Sequence, residues 1–271
     1  MNTAIALGNE IRKGLRFAWS ERLQILIELP MFAVFIILLG PLLGQGGNLA
    51  SGRVDWSLNS DTTSAMVVWF VPFIFLYMQV VKMFWRLLGE IQAGTLEQVY
   101  LSPLPPWLVA AAGRVAAAIL ETLFVAAATY GIVSAFVTIH LHWSIAVLLP
   151  TIAIMVAAVG FSLIIAGATL VYKRIQLVND TLLLMVMIFS ASALPLISVP
   201  GWWADISHAF PLTDGVGSLY NVMLADRPVE AWGIGGLVPL LTVSTAYLLA
   251  GIGTFILGER VAKNRGTLGR Y

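Results

Sequence analysis

Cysteine is absent from the 271-residue chain, and charged residues are scarce. Without cysteine the chain forms no disulfides and no thiolate metal sites, and the redox compartment stays open. Only 11% of the residues are charged while 59% are hydrophobic, whereas soluble domains carry about 25% charged residues. The composition therefore excludes an ordinary soluble domain and predicts a polytopic membrane protein.

Motifs for catalysis and for nucleotide binding are also missing. No GxxxxGK[ST] phosphate loop occurs, so the chain does not hold ATP phosphates by that device. His140 and His142 form a His-x-His pair, but no further Cys, His or carboxylate cluster accompanies them, which favours an interfacial role beside Trp143 over a metal site. We predict no catalytic residue, no metal ligand and no bound cofactor.

Long apolar runs are what the chain has instead. A helix that crosses the hydrocarbon core needs roughly 20 apolar residues, since each adds about 1.5 Å to a path of about 30 Å. Continuous runs indicate helices rather than the alternating strands of a barrel. The six predicted spans are residues 23–43, 65–81 with a tail to 88, 108–139, 143–172, 175–199 and 231–257.

Residues 1–22 differ from these runs. They lack the apolar core and the small-residue cleavage site of a signal peptide. Apolar residues recur at three- and four-residue spacing, as at Leu7, Ile11 and Leu15, with Glu10 and Arg12 on the other face. The pattern predicts an amphipathic helix on the membrane surface, ahead of the first span.

Positive charge is distributed unequally. If the N-terminus is cytoplasmic, every Lys and Arg except Arg53 and Arg227 falls on the cytoplasmic side of the six spans. This bias predicts a multi-pass protein of the cytoplasmic membrane with both termini inside. Residues 87–107, between spans two and three, are then also cytoplasmic.

Residues 87–107 form a polar island that we call the coupling region. Gly94 interrupts the preceding helix, and Thr95 with Gln98 makes a capping-box pattern. Prolines 103, 105 and 106 stop continuation, so a short helix is predicted at about 96–101. Leu96, Val99 and Tyr100 would form its apolar face, with Glu97 and Gln98 free for a partner. A plain capped loop is the alternative reading of the same spacing.

Two stretches together resemble a known family. Glu90, residues 94–97 (Gly-Thr-Leu-Glu) and residues 102–103 (Ser-Pro) form the first stretch. Residues 193–224, with a Pro-Gly-Trp turn, an Ile-Ser pair and Pro-Leu-Thr, form the second. In this order, around six spans, they resemble the type-2 permeases of ATP-binding-cassette (ABC) exporters, which are related to the subfamily G transporters.

The resemblance implies an architecture and partners. It implies one all-α permease domain over residues 1–271, a coupling helix between spans two and three, and short re-entrant helices in residues 200–230, which we call the outer segment. ATP and Mg would act in a separate ABC ATPase, two subunits per complex, beside a second permease copy or homologue and the bilayer, with no nucleic acid. The implied ATPase-contact residues are Glu90, Thr95, Leu96, Glu97, Gln98 and Tyr100.

The resemblance does not identify the transported substrate. An arginine often follows the Pro-Leu-Thr helix in the family, whereas Leu219, Tyr220 and Asn221 stand here. In the family the path lies between two copies, along spans two and five. Side chains at the matching positions offer a mixed aromatic, Met and hydroxyl surface that suits an amphiphile such as a drug, lipid or secondary metabolite. The alternative is that they serve only in packing. The candidates are Phe73, Tyr77, Met78, Gln79, Met185, Phe189, Ser190 and Ser192.

Four ionisable residues fall within the spans, where charge is costly. They are Glu28, Arg114, Glu121 and Asp180. Arg114 and Glu121 are seven residues apart and share a face, either in structural pairing or in a direct proton or substrate role. Small residues at 113, 117, 127, 131 and 135 predict close helix packing.

Two other function classes stay open at this point. An ion-coupled carrier would use Glu121 and Asp180. A polytopic lipid-modifying enzyme would need convergent acids, bases or a metal, and the scattered carboxylates do not form that pattern in sequence.

Overall fold

The computed structural model describes residues 3–20, 22–44, 60–95, 113–172, 175–194 and 199–265. These residues form helices and connecting segments, with no strand among them. The helices are α1 (Thr3–Ser20), α2 (Arg22–Gly44), α3 (Ser60–Gln92), α4 (Gly113–Phe136), α5 (Leu148–Val171), α6 (Gln176–Ser190), α7 (Gly201–Ser207), α8 (Thr213–Met223) and α9 (Leu237–Asn264). Single 3₁₀ turns precede α5 at Ile145–Val147 and follow α6 at Ala191–Ala193.

Five of the helices are long and apolar enough to cross a membrane: α3, α4, α5 and α6 with their 3₁₀ turns, and α9. The all-helical prediction is therefore confirmed for the described residues. In α2 the apolar stretch found is the shorter Ile25–Leu38, so a layout of six spans stays a prediction.

Helix α3 lies at the centre of the bundle. It packs against α2, α4, α5 and α8, and most of its side chains from Thr62 to Ile91 are buried, with Trp85 as an exposed exception. A helix that is apolar all round is stable only where neighbours surround it. Aromatic rings fill the α2–α3 contact, where Phe35 stacks on Phe70 at 4.6 Å and Phe32 meets Tyr77 edge-on. This packing makes α3 a common partner of α2, α4, α5 and α8.

The sixth predicted span begins and ends later than expected. Gly233 and Gly235 have φ values of 92° and 81°, a left-handed conformation that interrupts a helix. The helix therefore starts at Leu237 rather than at residue 231, and it continues past 257 to Asn264. The pair of Glu259 and Lys263, one turn apart at 2.5 Å, stabilises this extension.

Span three also ends earlier than predicted, at Phe136. The chain then runs without helix through residues 137–144. In this segment the His140 N–H donates to Ser64 Oγ (3.0 Å) and the His142 N–H donates to the Met223 carbonyl (2.8 Å). The segment leaves the helix because its backbone groups are satisfied by α3 and α8 instead.

Candidate functional site

Helix α3 ends in a defined cap where the coupling region begins. Gly94 has φ +66°, the Gly94 N–H donates to the Ile91 carbonyl (3.2 Å), and the Thr95 N–H donates to the Glu90 carbonyl (3.1 Å). These are the two bonds of a Schellman motif, in which a left-handed residue stops the helix and satisfies its last carbonyls. The predicted break at Gly94 is confirmed, and the direction in which the chain leaves α3 is set.

Thr95 belongs to this cap. Its Oγ1 lies 3.4 Å from the Glu90 carbonyl, so the side chain serves the C-terminus of α3. The predicted capping box with Gln98 and the contact residues Leu96, Glu97 and Tyr100 lie outside the described residues. Their roles stay predictions.

Glu90 joins three helices at this end of the molecule. Its carboxylate contacts Arg114 on α4 through Oε2 and Lys13 on α1 through Oε1, the latter at 3.2 Å. Arg114 is buried, while Lys13 is exposed. Glu90 therefore connects the last turn of α3 to α1 and to the first turn of α4.

A buried charge cluster lies between α3 and α4, about two helical turns farther from the coupling region than Glu90 and Arg114. Glu121 Oε2 accepts from Arg86 at 2.5 Å, and its Oε1 lies 3.1 Å from Lys82 Nζ. Lys82, Arg86 and Glu121 are 3%, 8% and 5% exposed. In surroundings that exclude water the carboxylate compensates two cations, and removing it would take this compensation from both.

Spacing along the two helices explains this arrangement. Lys82, Arg86 and Glu90 recur every four residues and face one side of α3, while Arg114 and Glu121, seven apart, face one side of α4. Because the helices run antiparallel, residue 90 meets 114 and residues 82 and 86 meet 121. Arg114 and Glu121 thus pair with α3 and not with each other. Sequence reasoning counted Lys82 and Arg86 only as cytoplasmic charges, although their four-residue spacing to Glu90 was a usable signal.

Helix α1 packs directly onto α4. A Cβ added to Gly14 would overlap the Cβ of Ala117, so the two helices touch at nearly the closest approach that side chains allow. Helix α1 also contacts α2. Beyond its predicted amphipathic character, α1 is thus part of the helix assembly at the end of the molecule that carries Lys13, Glu90 and Arg114. We call this the basic end.

The other predicted intramembrane charges lie apart from this cluster. Glu28 is half-buried on α2, and Asp180 is exposed on α6. Both act electrostatically on the Tyr77 hydroxyl, as does Lys82. The described structure therefore brings these charges near α3 but does not join Glu121 and Asp180 in one site.

The predicted path residues divide by exposure. Phe73, Met78 and Gln79 are buried inside the bundle, and neither polar atom of the Gln79 amide has a hydrogen-bond partner among the described residues. Ser190 and Ser192 are also buried. Tyr77 and Phe189 are half-buried and Met185 is exposed. As a set, these side chains do not form one continuous surface, and the path stays a prediction.

A hydrogen bond that sequence reasoning missed links α3 and α6. The Trp69 Nε1–H donates to Ser190 Oγ at 3.0 Å, and Ser190 donates in turn to the Met187 carbonyl. Phe189, next in sequence, stacks on Trp203 and Phe210 at ring distances of 4.5 and 4.4 Å. The end of α6 is thereby held to α3 and to the outer segment.

Two short helices, α7 and α8, lie in the outer segment, and their predicted re-entrant arrangement stays a prediction. Asp214, in the first turn of α8, is 2% exposed, lies 2.8 Å from His208 Nδ1 and accepts from the Gly235 N–H at 3.3 Å. Burial raises the pKa of the Asp214 carboxyl above its ordinary 3.8, and the His208 charge and the Gly235 N–H act in the lowering direction. Ser218 donates to the Gly235 carbonyl at 2.5 Å. The start of α8 is therefore fixed to the turn before α9.

Close helix packing occurs at only part of the predicted α4 stripe. Ala117 lies against Gly14 of α1. Gly131 has no atom within 4 Å of a built Cβ, and Ala127 and Ala135 are exposed, so these three residues make no close helix contact in the described structure. The α5–α9 contact is the most extensive, with Gly251 against Gly160 and Gly258 against Gly167. Seven-residue glycine spacing in both spans was the signal.

The residues described do not form a metal site, since no group of three or more His, Asp or Glu side chains comes together among them. His140 and His142 enter the fold through their backbone N–H groups. The arrangement suits mechanical connection: a capped helix end, ion pairs to two neighbouring helices and a deeper buried cluster.

Comparison with known proteins identifies the family to which the chain is related. The family model described as ABC-2 type transporter matches residues 11–224, which extend from α1 through the end of α8. No curated protein matches the chain. Because the match covers most of the 271 residues, this chain belongs to the ABC-2 type transporter family.

Proposed function

We propose that the chain is the permease subunit of an ABC exporter, driven by a separate ATPase that uses ATP and Mg²⁺. Two permeases and two ATPase subunits form the complex, in the cytoplasmic membrane with both permease termini inside. Family membership and the apolar helices support the permease role. The missing phosphate loop supports a separate motor.

The proposal rests on the contacts that Glu90 makes at the end of α3. The Schellman cap ties the chain leaving α3 to the Glu90 carbonyl, and the Glu90 carboxylate is tied to Arg114 and Lys13. A force applied to the predicted coupling helix at 96–101 would therefore act on α3, α4 and α1 together. Residues Leu96, Glu97, Gln98 and Tyr100 are the proposed contacts with the ATPase, beside Glu90 and Thr95.

Motion would then reach the opposite end through α3. This helix contacts α8 directly and α6 through Trp69 and Ser190. The outer segment, fixed at Asp214 and Ser218, would open or close the exit as α3 shifts. An amphiphilic cargo would move past Tyr77, Met185 and Phe189, which retain exposed surface.

Association with an ATPase is the direct test. We expect the combined change Leu96→Asp, Glu97→Lys and Tyr100→Ala to weaken co-purification with the partner ATPase at least about tenfold, or about 1.4 kcal/mol of binding free energy. The control Asp205→Lys, exposed on α7, should leave co-purification unchanged. An intact complex with the triple variant would refute this contact assignment.

The cap at Gly94 gives a test of coupling. Alanine at Gly94 must adopt φ +66°, which costs about 1–2 kcal/mol and favours continuation of α3. We expect Gly94→Ala to lower transport per ATP hydrolysed several-fold in proteoliposomes. The matched variant Gly89→Ala, within α3 and with no atom within 4 Å, should transport normally. Equal coupling in the two variants would show that the cap does not transmit force.

The ion-coupled carrier makes the opposite prediction. Transport by the permease without ATPase, driven by an ion gradient and indifferent to ATP, would support it. In the described structure Glu121 is already paired with two cations and Asp180 is exposed on another helix, so these residues offer no common ion site.

A further inference from the structure

A cavity of about 320 Å³ lies along the first half of α3, on the side of the buried charge cluster away from Glu90. It occupies the gap between α4 and α5, which both pack on α3 but make little contact with each other among the described residues. Side chains of α3, of the segment 137–144 and of α8 also line it. Its volume falls within the roughly 300–1,000 Å³ range of ligand pockets.

Apolar side chains line nearly the whole cavity. Val71 and Phe75 on α3, Ala126 on α4, and Ile154 and Met155 on α5 are typical of the walls. The Thr151 hydroxyl, also in the wall, already donates to the Val147 carbonyl at 2.8 Å. None of the described residues that line the cavity is charged. Such a site binds a hydrocarbon chain and gives no recognition to a charged headgroup.

The length of the cavity indicates how much of a hydrocarbon chain it holds. The lining runs from Val67 to Phe75 on α3, which is about 12 Å at about 1.5 Å per residue, and alongside it from Val147, in the turn before α5, to Met155 on α5. One leaflet of the bilayer contributes about half of the roughly 30 Å hydrocarbon core. The cavity therefore matches most of one acyl chain within a single leaflet.

The mouth of the cavity has the residues of a membrane interface. Tyr130 and Trp143 line it and meet edge-on, with ring centroids 6.2 Å apart. Trp143 is 67% exposed, and Leu123, at the edge on α4, is 41% exposed. Tyr and Trp lie where hydrocarbon meets headgroups, with an apolar ring and a polar tip. A lipid in the surrounding membrane could thus enter sideways between α4 and α5.

We propose that this cavity binds one acyl chain of a phospholipid from the leaflet opposite the basic end, which the charge bias predicts to be the outer leaflet. The bound chain supports α8 through Leu219 and Met223, which line the same cavity. The site is separate from the proposed cargo path along Tyr77 and Met185, and it makes the outer segment sensitive to the surrounding lipid.

Photocrosslinking tests the site in the whole protein. The probe is phosphatidylcholine with a mid-chain diazirine in nanodiscs, with adducts mapped by mass spectrometry. We expect adducts to concentrate on Leu123 and Met155. Ala126→Phe should fill the cavity and lower this labelling about fivefold or more, which corresponds to about 1 kcal/mol or more. Met155→Ala enlarges the cavity and removes one adduct site, so it should raise the labelling of Leu123. Leu120→Phe, on the exposed face of α4 outside the cavity, should leave it unchanged.

The outcomes separate the possible sources of the chain. Labelling that is equal in wild type and a folded Ala126→Phe variant, or that spreads equally over exposed Leu249 and Leu257 on α9, would overturn the proposal. If Ala126→Phe does not fold, unchanged labelling of Leu123 in Met155→Ala overturns it instead. Labelling by a free diazirine fatty acid, but not by the phospholipid, would also reject the membrane lipid as the source.

Discussion

Replacing Gly251 by leucine is expected to abolish the folded protein. Any Cβ at this position would overlap the carbonyl of Gly160, which is backbone and cannot turn aside as a side chain can. Overpacking usually costs about 1–3 kcal/mol. Here α5 and α9 must separate along their length, so a loss above about 4 kcal/mol is expected. Size-exclusion profiles of a fluorescent fusion and thermal unfolding in detergent would measure it.

Gly253 offers a matched control in the same helix. It lies two residues from Gly251 and has no atom within 4 Å of a built Cβ. Gly253→Leu should therefore give a normal elution profile and an unfolding temperature near that of the wild type. If both leucine variants behave alike, the α5–α9 contact is not set by its glycines.

Neutralising Glu121 is expected to have the second large effect. Glu121→Gln leaves Lys82 and Arg86 buried without their carboxylate. Removing one partner of a buried ion pair costs about 3–5 kcal/mol, because the remaining charge stays in surroundings that exclude water and loses the opposite charge beside it. We expect a strongly lowered unfolding temperature and yield, measured in the same detergent.

Two further variants make this result specific. Glu259→Gln removes a carboxylate whose partner, Lys263, is more exposed, so the loss should be at most about 1 kcal/mol. Replacing Lys82, Arg86 and Glu121 together by methionine removes all three buried charges and should recover most of the stability lost in Glu121→Gln. A Glu121→Gln protein as stable as Glu259→Gln would show that the cluster does not stabilise the bundle.

If the triple methionine variant folds, it separates stability from transport. The cluster links α3 to α4 at a level between the Glu90 contacts and the cavity. In the proposed function, normal folding with lost ATP-driven transport would assign the cluster to force transmission. Normal folding with normal transport would assign it to stability alone.

Sequence reasoning was most reliable where the cause is local. The stop at Gly94 depends on one residue that can adopt positive φ, and the structure has φ +66° there. The outer helices depend on local turn residues around 200 and 211–213, and α7 and α8 follow them. The start of α9 was misplaced because Gly233 and Gly235 occur within an apolar stretch, where hydropathy outweighed turn chemistry in the prediction.

The sequence did not predict which helices pair. Arg114 and Glu121 share a face of α4, but this does not indicate which residues of another helix they contact. Only the antiparallel approach of α3 and α4 assigns Glu90 to Arg114, and Lys82 and Arg86 to Glu121. Likewise, glycines every seven residues in two spans do not say which helices meet.

The sequence by itself determined that this is a membrane protein, because a chain with 59% hydrophobic residues, many of them in long runs, is not stable with those runs exposed to water. It also determined where α3 stops, because backbone conformation is a property of neighbouring residues. Tertiary structure alone decided that Glu121 compensates two cations, that α5 and α9 meet backbone to backbone, and that a gap remains between α4 and α5. These features depend on distances between segments far apart in the chain, and such distances are set by the packing of the whole bundle.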